Sequence, residues 1–81
     1  MPLYFFHTQD GQCIRDDEGT ELPNDMAARN EASAVLGELV KEDPERVWRD
    51  HNFSVTVTDA TGLILYVLDL TASCSPVARR A

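Results

Sequence analysis

The chain has 81 residues, 43% of them hydrophobic and 26% charged, which is the composition of one small globular domain rather than of a disordered segment. Its formal net charge of −7 argues against binding to nucleic-acid phosphates or to anionic membranes, because both need clustered lysine and arginine. A chain of this length buries only about 60–65% of its unfolded surface, so its hydrophobic core is small.

The first predicted element is an aromatic-rich strand over residues 3–8. Asp10 and Gly11 then favour a hairpin turn, because the central positions of such a turn need positive φ angles that these residues tolerate. The returning strand is predicted over residues 12–15. Residues 16–21 are predicted to form a polar loop that leads into a helix.

The longest predicted element is a helix from Asn24 to about Glu42. Asn24 is a suitable N-cap, and Asp25 places a negative charge at the positive end of the helix dipole. Pro44 ends the pattern. Apolar residues recur with the helical period and predict one buried stripe, formed by Ala28, Ala32, Val35, Leu36 and Leu39.

Two more strands are predicted after the helix. Residues 53–58 alternate between apolar and hydroxyl side chains, residues 59–62 form a turn, and residues 63–70 form the last strand. Residues 44–52 have room for a single turn of helix. The whole chain, 1–81, is therefore predicted to be one α+β domain in β-β-α-β-β order, with a four-stranded, mostly antiparallel or mixed sheet and one helix on one face. The ordered core spans about residues 2–70, and the tail, 71–81, is expected to fray.

Two of the predicted strands are apolar at every position, over residues 3–6 and 63–68. Strands of this kind are usually buried on both faces, yet one helix covers only one face of a sheet. We expect a second copy of the chain to cover the other face or an exposed edge, with Tyr4, Phe6, Leu65 and Tyr66 as interface residues. A shift of one residue in register would exchange this set for the core set. The alternative is that Val47, Trp48 and the tail fold back over the face.

The candidates for chemistry are His7, Cys13 and an acidic loop that contains Asp16, Asp17, Glu18 and Glu21. The loop does not fit a calcium-binding loop, because Ile14 stands where the first oxygen ligand is needed. No close pair of His and Cys has the spacing of a zinc site. We therefore expect neither a metal nor another cofactor.

Catalysis is the less favoured interpretation. His7 and Cys13 are near neighbours across the first hairpin, but neither a third orienting group nor an oxyanion hole is visible in the sequence. Pro2 would offer a secondary amine as a base only if Met1 were removed. An enzyme that uses His7, Cys13 and the acidic loop on a small molecule or a metal remains the alternative hypothesis, and it requires a concave pocket beside His7.

The expected location is the cytoplasm. The N-terminus lacks the basic region of a signal peptide, and the longest apolar run, residues 63–68, is far shorter than the ~20 residues that span a bilayer. Cys13 and Cys74 are then expected to be reduced thiols, and a disulfide between them is the alternative. Arg79 and Arg80 alone do not form a basic patch, so no nucleic-acid or membrane partner is expected.

Several sequence stretches together resemble one family. They are MPLYFFH, the DG turn, DDEGTELPND, AARNEA and the VTDATG turn. They are similar to short bacterial proteins, common in alphaproteobacteria, that are catalogued as a domain of unknown function. The likeness extends to about Leu70, and Asn24 stands where that family is expected to have Asp. It implies the same fold and no known activity.

The leading hypothesis is a small acidic interaction module without catalysis, which forms a homodimer. A regulatory or antitoxin-like role with a basic protein partner is expected from the net charge of −7.

Overall fold

The computed structural model describes residues 1–77. In chain order its elements are β1 (Leu3–Gln9), β2 (Cys13–Ile14), β3 (Thr20–Glu21), α1 (Asp25–Glu42), α2 (Pro44–Asp50), β4 (Asn52–Asp59) and β5 (Ile64–Thr71). The predicted frayed tail falls partly on residues 78–81, and Arg79 and Arg80 fall wholly on them, outside the described residues. Neither helix combines the length and the apolar character that crossing a bilayer would require.

The strands form one antiparallel sheet in the order β2-β1-β4-β5, with β3 also paired to β1. The predicted α+β class is confirmed, but within residues 1–77 the sheet has five strands instead of four and there are two helices instead of one. The extra helix begins at Pro44, since a proline at the first helical position loses no hydrogen bond. The extra strand lies in the segment predicted to be only a polar loop.

Helix α1 starts as its sequence predicts, and of its predicted stripe Ala28 and Ala32 are buried while Val35 and Leu36 are partly buried against the same core. The Asn24 side chain accepts a hydrogen bond from the backbone N–H of Ala27 at 2.9 Å. Ala28 and Ala32 are fully buried, so the small side chains let the helix approach β4 and β5 closely. The hydroxyl of Tyr4 donates to Asp25 Oδ1 at 2.7 Å and ties the first helical turn to β1. This hydrogen bond, together with burial, raises the pKa of Tyr4 to about 12.

The hydrophobic core lies between α1 and one face of the sheet. The alternation predicted for residues 53–58 is confirmed, because Phe53, Val55 and Val57 are fully buried and Thr56 lies on the other face. The main core cluster consists of Tyr4, Phe6, Ala28, Ala32, Val55 and Val57.

Helix α2 is fixed to the turn of the first hairpin. Val47 is buried, and Arg46 Nη1 lies 3.1 Å from Asp10 Oδ2. Trp48 is 52% exposed, so this segment does not cover the second face of the sheet in the way that the sequence leaves open.

Candidate functional site

The sheet face opposite the helices, which we call the outer face, contains a shallow groove of about 490 Å³. Side chains from β1, β4 and β5 form its floor, and the segment after β2 and the turn before β5 form its rim. The lining residues are Phe5, His7, Cys13, Arg15, Asp16, Asp17, Thr56, Thr58, Asp59, Ala60, Gly62 and Ile64. The groove is therefore the concave site beside His7 that the alternative hypothesis requires.

His7 is held in the groove by hydrogen bonds at both ring nitrogens. The backbone N–H of Asp16 donates to His7 Nδ1 at 3.0 Å, so Nδ1 must be an acceptor without a proton. In the neutral imidazole the proton then lies on Nε2, which is 3.3 Å from the hydroxyl oxygen of Thr58. The ring also stacks in parallel on Phe5, with centroids 6.4 Å apart. The His7 ring thus has partners at both nitrogens and on one face, and it ties the Asp16 backbone to β4.

Asp16 closes the acidic loop onto the sheet. Its Oδ2 accepts the backbone N–H of Phe6 at 3.1 Å, and its Oδ1 accepts the backbone N–H groups of Glu18 and Gly19 at 3.1 Å each. Burial raises the pKa of the Asp16 carboxyl, but these three N–H donors outweigh burial and hold the pKa below its ordinary value. Its charged form is therefore the one that the fold stabilises.

The same loop covers part of the outer face. Gly19 has a φ of +76°, and a Cβ placed on it would lie 3.0 Å from side-chain atoms of both Leu3 and Phe5. The backbone of the loop therefore packs directly on these two side chains. The acidic loop therefore shelters part of the apolar outer side of β1.

One edge of β1 is satisfied in three places. β2 pairs with Thr8 and Gln9, the carboxylate of Asp16 accepts from Phe6 N–H, and β3 pairs with Leu3 and Tyr4. The other edge of β1 pairs with β4 along its length. Both edges of β1 are consequently occupied within the sheet.

The edge of β5 that faces away from β4 is different. Within residues 1–77 no strand pairs with it, although β5 is eight residues long. Its outer-face side chains Ile64 and Val67 are 60% and 57% exposed, and Asp69 is its only charged residue. Long apolar edges with few charges and no proline are ready to accept another strand.

The placement expected for the interface residues on the outer face is wrong. Tyr4 and Phe6 are buried under α1, and Leu65 and Tyr66 are partly buried and pack against the same core cluster. Leu65 and Tyr66 pack on the same side because the β4–β5 register shifts between Val57 and Thr58, as in a β-bulge. The outer face is instead formed by the alternate residues, which are Leu3, Phe5, His7, Ile64 and Val67.

The residues singled out for chemistry are brought together only in part. His7, Cys13, Asp16 and Asp17 line the groove, whereas Glu18 and Glu21 do not. No three His, Cys, Asp or Glu side chains in the described part of the chain cluster tightly enough to hold a metal ion. Cys13 and Cys74 are both exposed, free thiols, and no bridge joins them.

Sequence reasoning missed the place of Val67 on the outer face and the contact of Thr58 with His7. The clean alternation of β4 already assigns Thr56 to the outer face and Val57 to the core, and a pairing partner on β5 inherits the same side. That signal was available for Val67, which lies opposite Thr56. The same alternation assigns Thr58 to the outer face, but its contact with the distant His7 is not visible in the sequence.

A family model described as "Domain of unknown function (DUF6894)" matches residues 3–71, and the chain belongs to this family. No curated protein and no solved structure matches the chain. The likeness in sequence to a family of unknown function is thus confirmed, and the match ends where β5 ends.

Proposed function

We propose that this member of the DUF6894 family is a non-catalytic protein-interaction module that binds an extended strand of another polypeptide chain along the open edge of β5. The observation that carries the proposal is the eight-residue edge that no strand covers in the described part of the chain. Backbone N–H and C=O groups on such an edge supply affinity for any extended segment, and neighbouring side chains supply specificity.

The side chains beside the edge support this role. Leu63, Ile64 and Val67, which lie in β5 or directly before it, are each more than half exposed. Exposed apolar residues that form a continuous patch mark interaction sites more often than isolated ones do. A strand laid against β5 would cover this patch and complete the outer face.

The charge of the chain supports a basic partner with a regulatory or antitoxin-like role. The net charge is −7, and Asp17 and Asp59 lie at the rim of the groove next to Ile64 at the start of β5. A negative surface raises the rate at which a basic protein associates, and salt weakens this effect. We also place the protein in the cytoplasm, where exposed thiols such as Cys13 and Cys74 stay reduced.

The test uses a defined probe, a fluorescent peptide with the sequence of residues 63–71 flanked by lysines for solubility. We expect the peptide to bind the chain, with NMR shift changes concentrated in the β5 amides. The control peptide has the same composition with three alternate apolar residues replaced by glycine, which weakens an added strand. Equal binding of both peptides, or shift changes confined to the helices, would contradict the proposal.

A second candidate is favoured by the groove itself. Its volume of about 490 Å³ lies within the range of small-ligand sites, and Arg15 and Asp17 offer charged groups beside the apolar Phe5 and Ile64. The candidate function is binding of a small molecule at His7 and Cys13, as in the enzyme hypothesis. A fragment screen by NMR tests it: ligands should shift the signals of His7 and Thr58 and lose affinity in Thr58→Val, and a screen without such fragments would remove it.

A further inference from the structure

We propose that the strand accepted by β5 is the β5 strand of a second copy of this chain, paired antiparallel about a two-fold axis at Val67. The inference rests on the proposed function, because it uses the same open edge and names the partner. Two five-stranded sheets would then join into one continuous sheet with the helices of both copies on the same side.

The self-pairing is favoured by the way the sheet ends. On the other side of the sheet, β1 is already closed by β2, by Asp16 and by β3. When one edge is open and the opposite edge is blocked, joining like edges gives a closed pair, whereas a sheet with two open edges can grow without limit. The geometry of this chain therefore points to a dimer and not to a fibre.

The register follows from the side chains of β5. In an antiparallel pair centred on Val67, Val67 lies opposite its own copy on the outer face, and Tyr66 lies opposite Leu68 of the second copy on the core side. A pair centred on Asp69 would place two carboxylates face to face, which is destabilising. Centring on Leu68 would set the exposed Val67 against Asp69 on the outer face. Centring on Val67 sets Asp69 against Leu65, whose side chain packs on the core cluster, so no exposed apolar side chain lies opposite the carboxylate. Val67 is thus the best centre.

The charge and size of the contact predict a weak dimer. A single pair of edge strands buries less surface than the roughly 1,200–2,000 Å² of a stable complex, so association should be concentration-dependent in the micromolar range or weaker. Each copy carries a net charge of −7, which opposes approach. At 0.1 M, salt screens the repulsion between surface charges that are more than about 10 Å apart. Dimerisation should therefore strengthen as salt is added.

The test is a cross-link at the proposed axis. In a Cys13→Ser/Cys74→Ser background, Val67→Cys should form a disulfide-linked dimer on mild oxidation, since directly opposed residues lie about 4.5–5.5 Å apart at Cα, which suits a disulfide. Asp69→Cys in the same background is the matched control, because the two copies of residue 69 would be about 14 Å apart. We expect at least tenfold more cross-linked dimer for residue 67 than for residue 69.

Sedimentation of the unmodified chain over a range of concentrations gives the second measurement. A monomer at every concentration, while the β5 peptide still binds, would overturn the second copy as partner and leave the proposed function standing. A monomer that also fails to bind the peptide would overturn both. A dimer that cross-links equally at residues 67 and 69 would overturn the register.

Discussion

Replacing Asp16 should release the acidic loop from the sheet and destabilise the whole domain. The carboxylate accepts three backbone N–H groups, from Phe6, Glu18 and Gly19, each at 3.1 Å. Asp16→Ala removes all three acceptors and leaves Phe6 N–H facing the closed edge of β1 without a partner. Asp16→Asn keeps Oδ1 for Glu18 and Gly19 but turns an amide NH₂ toward Phe6 N–H.

The size of the effect follows from these contacts. Hydrogen bonds to a charged group contribute ~1.5–3 kcal/mol when buried, and Asp16 is only half-buried, so about 1 kcal/mol for each bond is a suitable value. Asp16→Ala should then lower the free energy of unfolding by about 3 kcal/mol, and Asp16→Asn by about 1 kcal/mol. For a domain of this size the corresponding losses in Tm are roughly 12–24 °C and 4–8 °C.

Urea unfolding followed by circular dichroism measures the free energies of unfolding of the natural chain, Asp16→Ala and Asp16→Asn. The matched control is Asp17→Asn. It removes one negative charge from the neighbouring residue, whose side chain makes no hydrogen bond or ion pair among the described residues. The control should change stability by less than about 0.5 kcal/mol. If Asp16→Ala and Asp17→Asn unfold at the same urea concentration, the assigned role of the carboxylate is wrong.

Acid adds a second, independent check on Asp16. Its pKa in the folded chain is below the ordinary 3.8, so the unfolded chain takes up the proton first as pH falls. The contribution of the carboxylate is complete above about pH 5 and declines below pH 4. The stability difference between the natural chain and Asp16→Asn should therefore shrink between pH 5 and pH 3, and a constant difference would contradict this account.

Three further predictions concern the core, the loop and the helix contact. Val57→Ala should cost about 2–3 kcal/mol of unfolding free energy in a urea titration, because the side chain is fully buried, whereas the outer-face change Val67→Ala should cost well under 1 kcal/mol. Gly19→Ala should cost about 1–2 kcal/mol, because its φ is +76° and the new methyl group would meet Leu3 and Phe5, whereas Gly37→Ala, which meets nothing, should be neutral or stabilising. Tyr4 should ionise near pH 12 in an absorbance titration of a Tyr66→Phe variant. The contribution of Tyr4 to the free energy of unfolding is complete below pH 10 and should fall as pH rises toward 12. Ionisation near pH 10 would show that the hydrogen bond to Asp25 is absent in solution.

The sequence predicts the local features of the fold well. The Asn24 cap and the buried alanines of α1 are confirmed, as is the alternation of β4, because each depends on residues close together in the chain. The sequence predicts room for only a single turn of helix where α2 forms, and it does not predict β3; both elements are short. β3 is only two residues long and exists because it pairs with Leu3 and Tyr4, which no local pattern in Thr20 and Glu21 reveals.

The sequence could not predict which side chains of β1 and β5 face the core, and the reason is physical. Both strands are apolar at consecutive positions, so either alternate set fits a core, and only the pairing with β4 decides between them. The bulge beside Leu65 then puts two neighbouring residues on one side, which breaks the period of two. The sequence did not predict the groove beside His7; the enzyme hypothesis only required one there. The shape of the groove depends on where Asp16 anchors the loop.

The full burial of Ala28 and Ala32 limits how this chain can vary through evolution. Two methyl groups set the distance between α1 and the sheet, so a larger residue at either position would lift the helix and draw Asp25 away from the hydroxyl of Tyr4. Saturation mutagenesis should find that these positions accept only alanine, glycine or serine, although both lie in a helix whose exposed face tolerates many residue types.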